Sequence, residues 1–285
     1  MCLLQGCQTV TTGYIPVSGG GRLYYEQRGK GEPLVLLHGH SLDTRMWDLQ
    51  FRPFARRYRT VRFDFRGYGR SSEQREDLQF THVDDLLTLM DSLGMQQAHV
   101  VGLSMGAFVA GDLLAMHPER LLSCTMASGG IRNSPGPSEP MDSAESHRRD
   151  REIAALRQRG IDRYKQEWIA TLMASGGTQR ERMRQPLTQM IADWSAWQPL
   201  HKEVRLFYGR EAWQQLRSRG TVGVPTLLIR GENELKGGKK APAELQFLSH
   251  GRYIVVPDCG HMLNMERPAD FNREVLRFLD ESRQK

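Results

Sequence analysis

The sequence is poor in several things, and each shortage excludes a class of protein. No apolar run in the 285 residues comes near the ~20 that a membrane-spanning helix needs; the longest strong one is Leu34-Val35-Leu36-Leu37. Cysteine is scarce. Cys2, Cys7, Cys124 and Cys259 contain no CxxC pair and are too few for a disulfide scaffold. No internal repeat is present. No HExxH or comparable ligand spacing implies a metal, and no cofactor-binding signature stands out. The run Gly237-Gly238-Lys239-Lys240 lacks the strand and helix that flank a phosphate loop, and reads as a surface turn. The net charge of +6 carries no nucleic-acid-binding motif; most of the excess falls in residues 140–220, interleaved with acids as on a solvated surface.

What is present is enough for a sizeable core. Hydrophobic residues make up 39% and charged residues 25%, as in a soluble globular protein. The length suits one large α/β domain. The start of the chain is unusual. Leu4-Gln5-Gly6-Cys7 resembles the site at which bacterial lipoproteins are cleaved and lipidated, but Met1 to Gln5 is too short for a signal peptide. As it stands the sequence reads as cytoplasmic. The alternative is a bacterial envelope lipoprotein anchored through Cys7, which would need an upstream signal segment.

Short aliphatic runs alternate with longer stretches of helical period, the pattern of an α/β layer fold. Strands are expected at 34–38, 60–64, 98–103, 121–127, 226–230 and 253–256. Two more, 11–17 and 22–27, flank the turn Ser18-Gly19-Gly20-Gly21. Val83, Leu86, Leu87, Met90 and Leu93 fall at helical spacing before Gly94. Phe271, Val275, Phe278 and Leu279 share one face of a last helix that begins near Pro268. One segment breaks the rhythm: after Ser128-Gly129-Gly130 the chain stays charged and helical until Gly220. Residues 131–220 are expected to form a helical cap, inserted between the two parts of the core, 1–130 and 221–285. The cap carries four of the five tryptophans, Trp168, Trp194, Trp197 and Trp213, which either staple its helices or line a pocket beneath them.

The chemical signal is Gly102-Leu103-Ser104-Met105-Gly106. A GxSxG motif alone is weak. Here it directly follows the buried run Ala98–Val101 and precedes a helix of small and apolar residues, the context of a nucleophile elbow. That turn is so sharp that the residues two before and two after the serine must be small. Ser104 is the expected nucleophile. A serine hydroxyl needs a base, and His261 stands in Asp258-Cys259-Gly260-His261, after the last strand, where a loop can reach the elbow. The third member should be a carboxylate that orients the imidazole. Glu234, beyond the penultimate strand, gives the chain order serine, acid, histidine. Glu232 is the nearest rival and Asp258 a weaker one.

Together the motifs Leu37-His38-Gly39-His40, Asp64–Ser71, Gly102–Gly106, and Gly260-His261 with Glu266-Arg267-Pro268 resemble the α/β-hydrolase fold family, in its cap-bearing esterase, lactonase and cofactor-free haloperoxidase-like group. The resemblance implies a mostly parallel eight-stranded sheet flanked by helices. It also implies an oxyanion hole made by the backbone N–H groups of His40 and Met105, a bracing role for His38, and a turn that shapes the rim at Asp64–Ser71. The sequence departs from the family's Gly-Glu-x-Asp pattern by carrying Glu234 in place of aspartate. The expected activity is hydrolysis of a small carboxylic ester or lactone by water through an acyl-enzyme. The alternatives are a C–C bond hydrolase or perhydrolase on the same triad, or a non-turnover ligand sensor. No nucleic-acid partner is expected, and the sequence leaves the oligomeric state and the substrate open.

Overall fold

Alternation along the strands determines how the layers form. In the computed structural model, which describes residues 9–139, 141–202, 206–235 and 241–283, eight strands form one sheet: β1 (Thr11–Pro16), β2 (Arg22–Arg28), β3 (Pro33–Leu37), β4 (Arg59–Phe63), β5 (Ala98–Leu103), β6 (Leu121–Ala127), β7 (Thr226–Gly231) and β8 (Gly251–Val256). Their order is β1-β2-β4-β3-β5-β6-β7-β8. Only the β1–β2 and β2–β4 pairs are antiparallel. The rest are parallel, so helices must cover both faces. The central strands β3 and β5 are apolar along nearly their whole length for that reason. Leu34 and Leu36 of β3 enter one core, Val35 and Leu37 the other. Every residue of β5 is buried.

On one face lie α2 (His82–Ser92) and α3 (Met105–Met116); on the other, α1 (Asp48–Ala55), α9 (Leu263–Glu266) and α10 (Pro268–Ser282). Thr81 opens α2 with a reciprocal capping box to Asp84. The four residues expected on the inner face of α10 are the four it buries. The β1–β2 connection is the glycine turn read from sequence, closed by Val17 N–H to the Gly21 carbonyl at 2.9 Å.

Between β6 and β7 run α4 (Ser143–Arg159), α5 (Ile161–Ala174), α6 (Glu181–Asp193), α7 (Trp197–Leu200) and α8 (Arg210–Arg219). The first four pack mainly on one another, and α6 also rests on α9. α8 behaves differently. It packs on α3, where Ala212 and Leu216 join the same core as Leu113. Asp112 of α3 accepts the Tyr208 N–H at 2.7 Å, just ahead of the first turn of α8. Burial pushes the Asp112 carboxyl up to about 7 despite that N–H.

Cys124 and Cys259 are free and buried. Cys2, Cys7 and the Gly237–Lys240 run lie outside the described residues. Among the described residues no helix is long and apolar enough to cross a membrane.

Candidate active site

The site sits at the C-terminal ends of the parallel strands. β5 delivers Ser104 on a turn tight enough to hold it at φ 56°, ψ −113°, outside the usual regions for an L-residue. Two glycines make that turn possible by close approach. A Cβ on Gly102 would stand 2.1 Å from the Gly106 carbonyl oxygen, and one on Gly106 would stand 2.1 Å from that of Leu37. No other residue fits at either position.

His261 follows β8. Its Nε2 lies 2.9 Å from Ser104 Oγ, and its Nδ1 lies 2.5 Å from Glu234 Oε1. The structure thus joins all three side chains singled out in the sequence. Glu234 comes off the end of β7 and is largely buried. Burial by itself would raise its pKa, but the hydrogen bond and charge of His261 outweigh that and hold the carboxyl below its ordinary value. Ser128, just past β6 at φ 49°, adds to the lowering. Its buried hydroxyl favours the ionised carboxylate although no fully formed hydrogen bond joins the two.

The rival acids are occupied elsewhere. Glu232 Oε2 accepts the Asp258 N–H at 3.2 Å. The Asp258 carboxylate faces Thr178 and Arg267, accepting the Thr178 N–H at 2.9 Å and pairing with the guanidinium.

The loop after β3 passes directly over the serine, so that a Cβ on Gly39 would lie 3.6 Å from that of Ser104. Its next residue is His40. Neither the His40 nor the Met105 backbone N–H has a hydrogen-bond partner among the described residues. Two unpaired donors therefore flank the elbow, Met105 at the positive end of α3. The His40 ring is neutral, since burial first and then His38 and Arg132 press its pKa down to about 4. It lies 2.8 Å from the Tyr68 hydroxyl, on the Asp64–Ser71 turn. His38 spans the same two segments: Nε2 accepts the Phe65 N–H at 3.0 Å, and Nδ1 donates to the Gly39 carbonyl at 2.8 Å. Asp64 ties the turn down by accepting the N–H groups of Thr44 and Arg70.

A cavity of about 350 Å³ opens over Ser104 and His261, with Phe108, Ile131, Trp168 and Leu235 as its apolar wall. Trp168 is the tryptophan of the inserted helices that reaches it, and its Nε1–H donates to Ser41 Oγ at 2.7 Å. Trp194 is buried edge-on to His40. Trp197 stacks on His201, and Trp213 donates to the Ile131 carbonyl. A second hollow of about 390 Å³ lies between the His40 loop and α6, but its charged lining is already paired, Arg45 with Asp43 and Asp193, and Arg70 with Glu26. The cavity that contains the serine is the candidate site. Among the described residues no group of three His, Cys, Asp or Glu side chains is arranged to hold a metal ion.

The chain matches the alpha/beta hydrolase family over residues 34–274, nearly its whole length. It is a member of that family. The hydrolase is 27% identical over 268 residues to a protein provisionally named non-heme bromoperoxidase BpoC from Mycobacterium tuberculosis, an alignment covering 90% of this chain and 97% of the other. It superposes on a thermophilic esterase from Thermogutta terrifontis with a TM-score of 0.74 at 24% identity, over 95% and 99% of the two chains. It superposes on an enol-lactonase from Burkholderia xenovorans with a TM-score of 0.68 at 23% identity, over 94% and 100%.

Sequence reasoning missed three contributors to the hydrolase's site. Ser128 reads as part of a Ser-Gly-Gly turn. Arg230 reads as a strand residue, yet it lines the cavity. Glu266 was visible only as part of a motif. It is fully buried, and its two oxygens accept the N–H groups of Gly177 at 2.6 Å and Gly260 at 2.8 Å. It therefore fixes the loop that carries His261. The Ser175 hydroxyl accepts the His261 N–H at 3.3 Å from the same side.

Proposed function

We propose that the hydrolase cleaves a small carboxylic ester or lactone through an acyl-enzyme on Ser104. The observation that carries this reading is the unbroken contact from Ser104 Oγ through His261 to Glu234, beneath a cavity with an apolar wall. Neutral His261 takes the hydroxyl proton as Oγ bonds to the substrate carbonyl carbon. The oxygen gains the charge and is met by the N–H groups of His40 and Met105, each donor worth several kcal/mol in such a site, on the order of 3. Collapse breaks the bond to the leaving alkoxide, which receives the proton from His261. Water, deprotonated by the same imidazole, then attacks the acyl carbon and releases the acid and Ser104. Glu234 stabilises the imidazolium in both halves without taking its proton. The helices α4–α7 are read as the cap that shapes the cavity.

The relative named as a bromoperoxidase favours a second reading at the same residues. In that case hydrogen peroxide replaces water against the acyl-enzyme and a peracid leaves.

The test is fluorophosphonate labelling together with a panel of chromogenic esters and lactones, with and without peroxide. Wild type should label at Ser104 and turn over some members of the panel. Ser104→Ala should fold normally and lose turnover by orders of magnitude. A folded Ser104→Ala retaining more than about a tenth of the activity would sink the assignment. A wild type that neither labels nor turns over any panel member would point instead to a ligand sensor.

A further inference from the structure

The cavity over Ser104 is apolar on one side only. On the other side is Arg230, the penultimate residue of β7. Most arginines that line this molecule's interior are held by carboxylates, Arg66 by Asp85 and Arg62 by Glu26. Arg230 is not. Its Nη2 reaches the Gly129 carbonyl at 3.5 Å, the outer limit of a hydrogen bond, and no Asp or Glu among the described residues forms an ion pair with it. Glu244 shares the cavity wall and its carboxylate feels the charge of Arg230, but the two form no ion pair. It is buried with its carboxylate pressed against Gly130, where a Cβ would stand 1.9 Å from Oε1, and it takes the Ile131 N–H. Arg132, next in the chain to Ile131, holds a second guanidinium about 5 Å from the ring centres of Phe108 and Phe207, where its charge also acts on Asp112. It too has no ion pair among the described residues.

A guanidinium whose fork is engaged by no carboxylate, beside a nucleophile, can take up an anion in the cavity. Its planar fork matches a carboxylate with two parallel hydrogen bonds. We propose that Arg230 is the anion-binding residue of the cavity, and that the substrate is an ester or lactone carrying a free carboxylate away from its scissile carbonyl. This rests on the Ser104 reading above. A volume near 350 Å³ suits a small molecule with a short apolar span between the two groups, which Phe108, Ile131 and Leu235 would cover.

Two pairs of probes test it. The 4-nitrophenyl monoester of glutaric acid against 4-nitrophenyl hexanoate puts the charge on the acyl side, with background hydrolysis subtracted. 3-Acetoxybenzoate against phenyl acetate puts it on the leaving-group side. In at least one pair the wild type should favour the acid, and added salt should weaken that preference. Arg230→Gln should lower kcat/KM for the acidic member about 10–100-fold more than for its neutral partner, chiefly through KM. Arg230→Lys should recover part of the difference. The neutral probe, measured in the same variant, absorbs any shift of the Gly129 loop. Equal losses on both members of both pairs would overturn the anion site while leaving ester hydrolysis intact. A wild type that neither labels with fluorophosphonate nor hydrolyses the neutral esters would overturn the Ser104 reading, and this inference with it.

Discussion

The elbow at the end of β5 and the helices inserted after β6 are built on opposite principles. Around Ser104 the chain has no slack: backbone touches backbone at Gly102 and Gly106, β5 is buried along its length, and α3 buries ten of its twelve residues. In α4 only Ile153 and Leu156 are buried among seventeen residues. Apart from α8, the inserted helices meet the core through a few polar contacts, Trp168 to Ser41 and Arg45 to Asp193 among them, together with the apolar underside of α5 and α6. The division separates two tasks. Proton transfer tolerates little misplacement, so its residues sit on the stiffest part of the fold. The inserted layer, which adds Trp168 to the cavity wall, can vary without disturbing them.

Substitutions can break this contrast. Glu234→Gln keeps the volume and removes the charge, and should lower kcat by about 10²–10⁴ with little change in stability. Glu232→Gln should stay near wild type, and Glu234→Asp should retain part of the activity if the loop follows its shorter side chain. A crippled Glu232→Gln beside a healthy Glu234→Gln would reassign the acid. Gly106→Ala forces a methyl group against the Leu37 carbonyl and should destabilise the protein by about 3 kcal/mol. Chemical denaturation would detect this, and an unchanged midpoint would mean the elbow has room to move.

Asp112→Asn asks on which side of the division α8 belongs. With a carboxyl at about 7 in the fold and about 3.9 in the unfolded chain, the native state holds a proton the unfolded state has lost between those values. Stability therefore falls as pH rises from about 4 to 7 and levels off above. Asparagine, which does not ionise, should raise Tm at pH 8 by about a few degrees relative to wild type, the gap closing below pH 5. A gap independent of pH would show that the carboxyl is not what titrates. The smallest effect is expected in the inserted layer. Trp168→Phe loses the hydrogen bond to Ser41 and part of the cavity wall, and should change KM about 2–10-fold while largely sparing kcat. A hundredfold loss of kcat would mean the inserted layer positions the chemistry after all.

Much of the sheet was legible because buried parallel strands advertise themselves as aliphatic runs. All eight were expected within a few residues of where they lie. The Ser104, Glu234 and His261 contacts were legible from chain order, since each follows a strand of one sheet and the ends of those strands share one edge. The return of α8 to the core was hidden. Only Ala212 and Leu216 are buried there, one helical turn apart in a strongly charged stretch, and neither distinguishes a cap helix from a core helix. Ser128 and Arg230 carry no local signal, because what matters is which side chain each faces across the sheet. Glu266 could be read as a motif residue, but its partner Gly177 lies 89 positions away.

That last carboxylate has a mechanical consequence. Gly177 belongs to the turn joining α5 to α6, and Gly260 immediately precedes the base. One buried side chain thus bolts a corner of the roof to the loop beneath it. Lifting the roof at that corner would either drag the imidazole out of line with the serine or strand a buried negative charge, a penalty of about 3–5 kcal/mol. Prising the inserted helices up at this edge would therefore disturb the very base that the cavity serves.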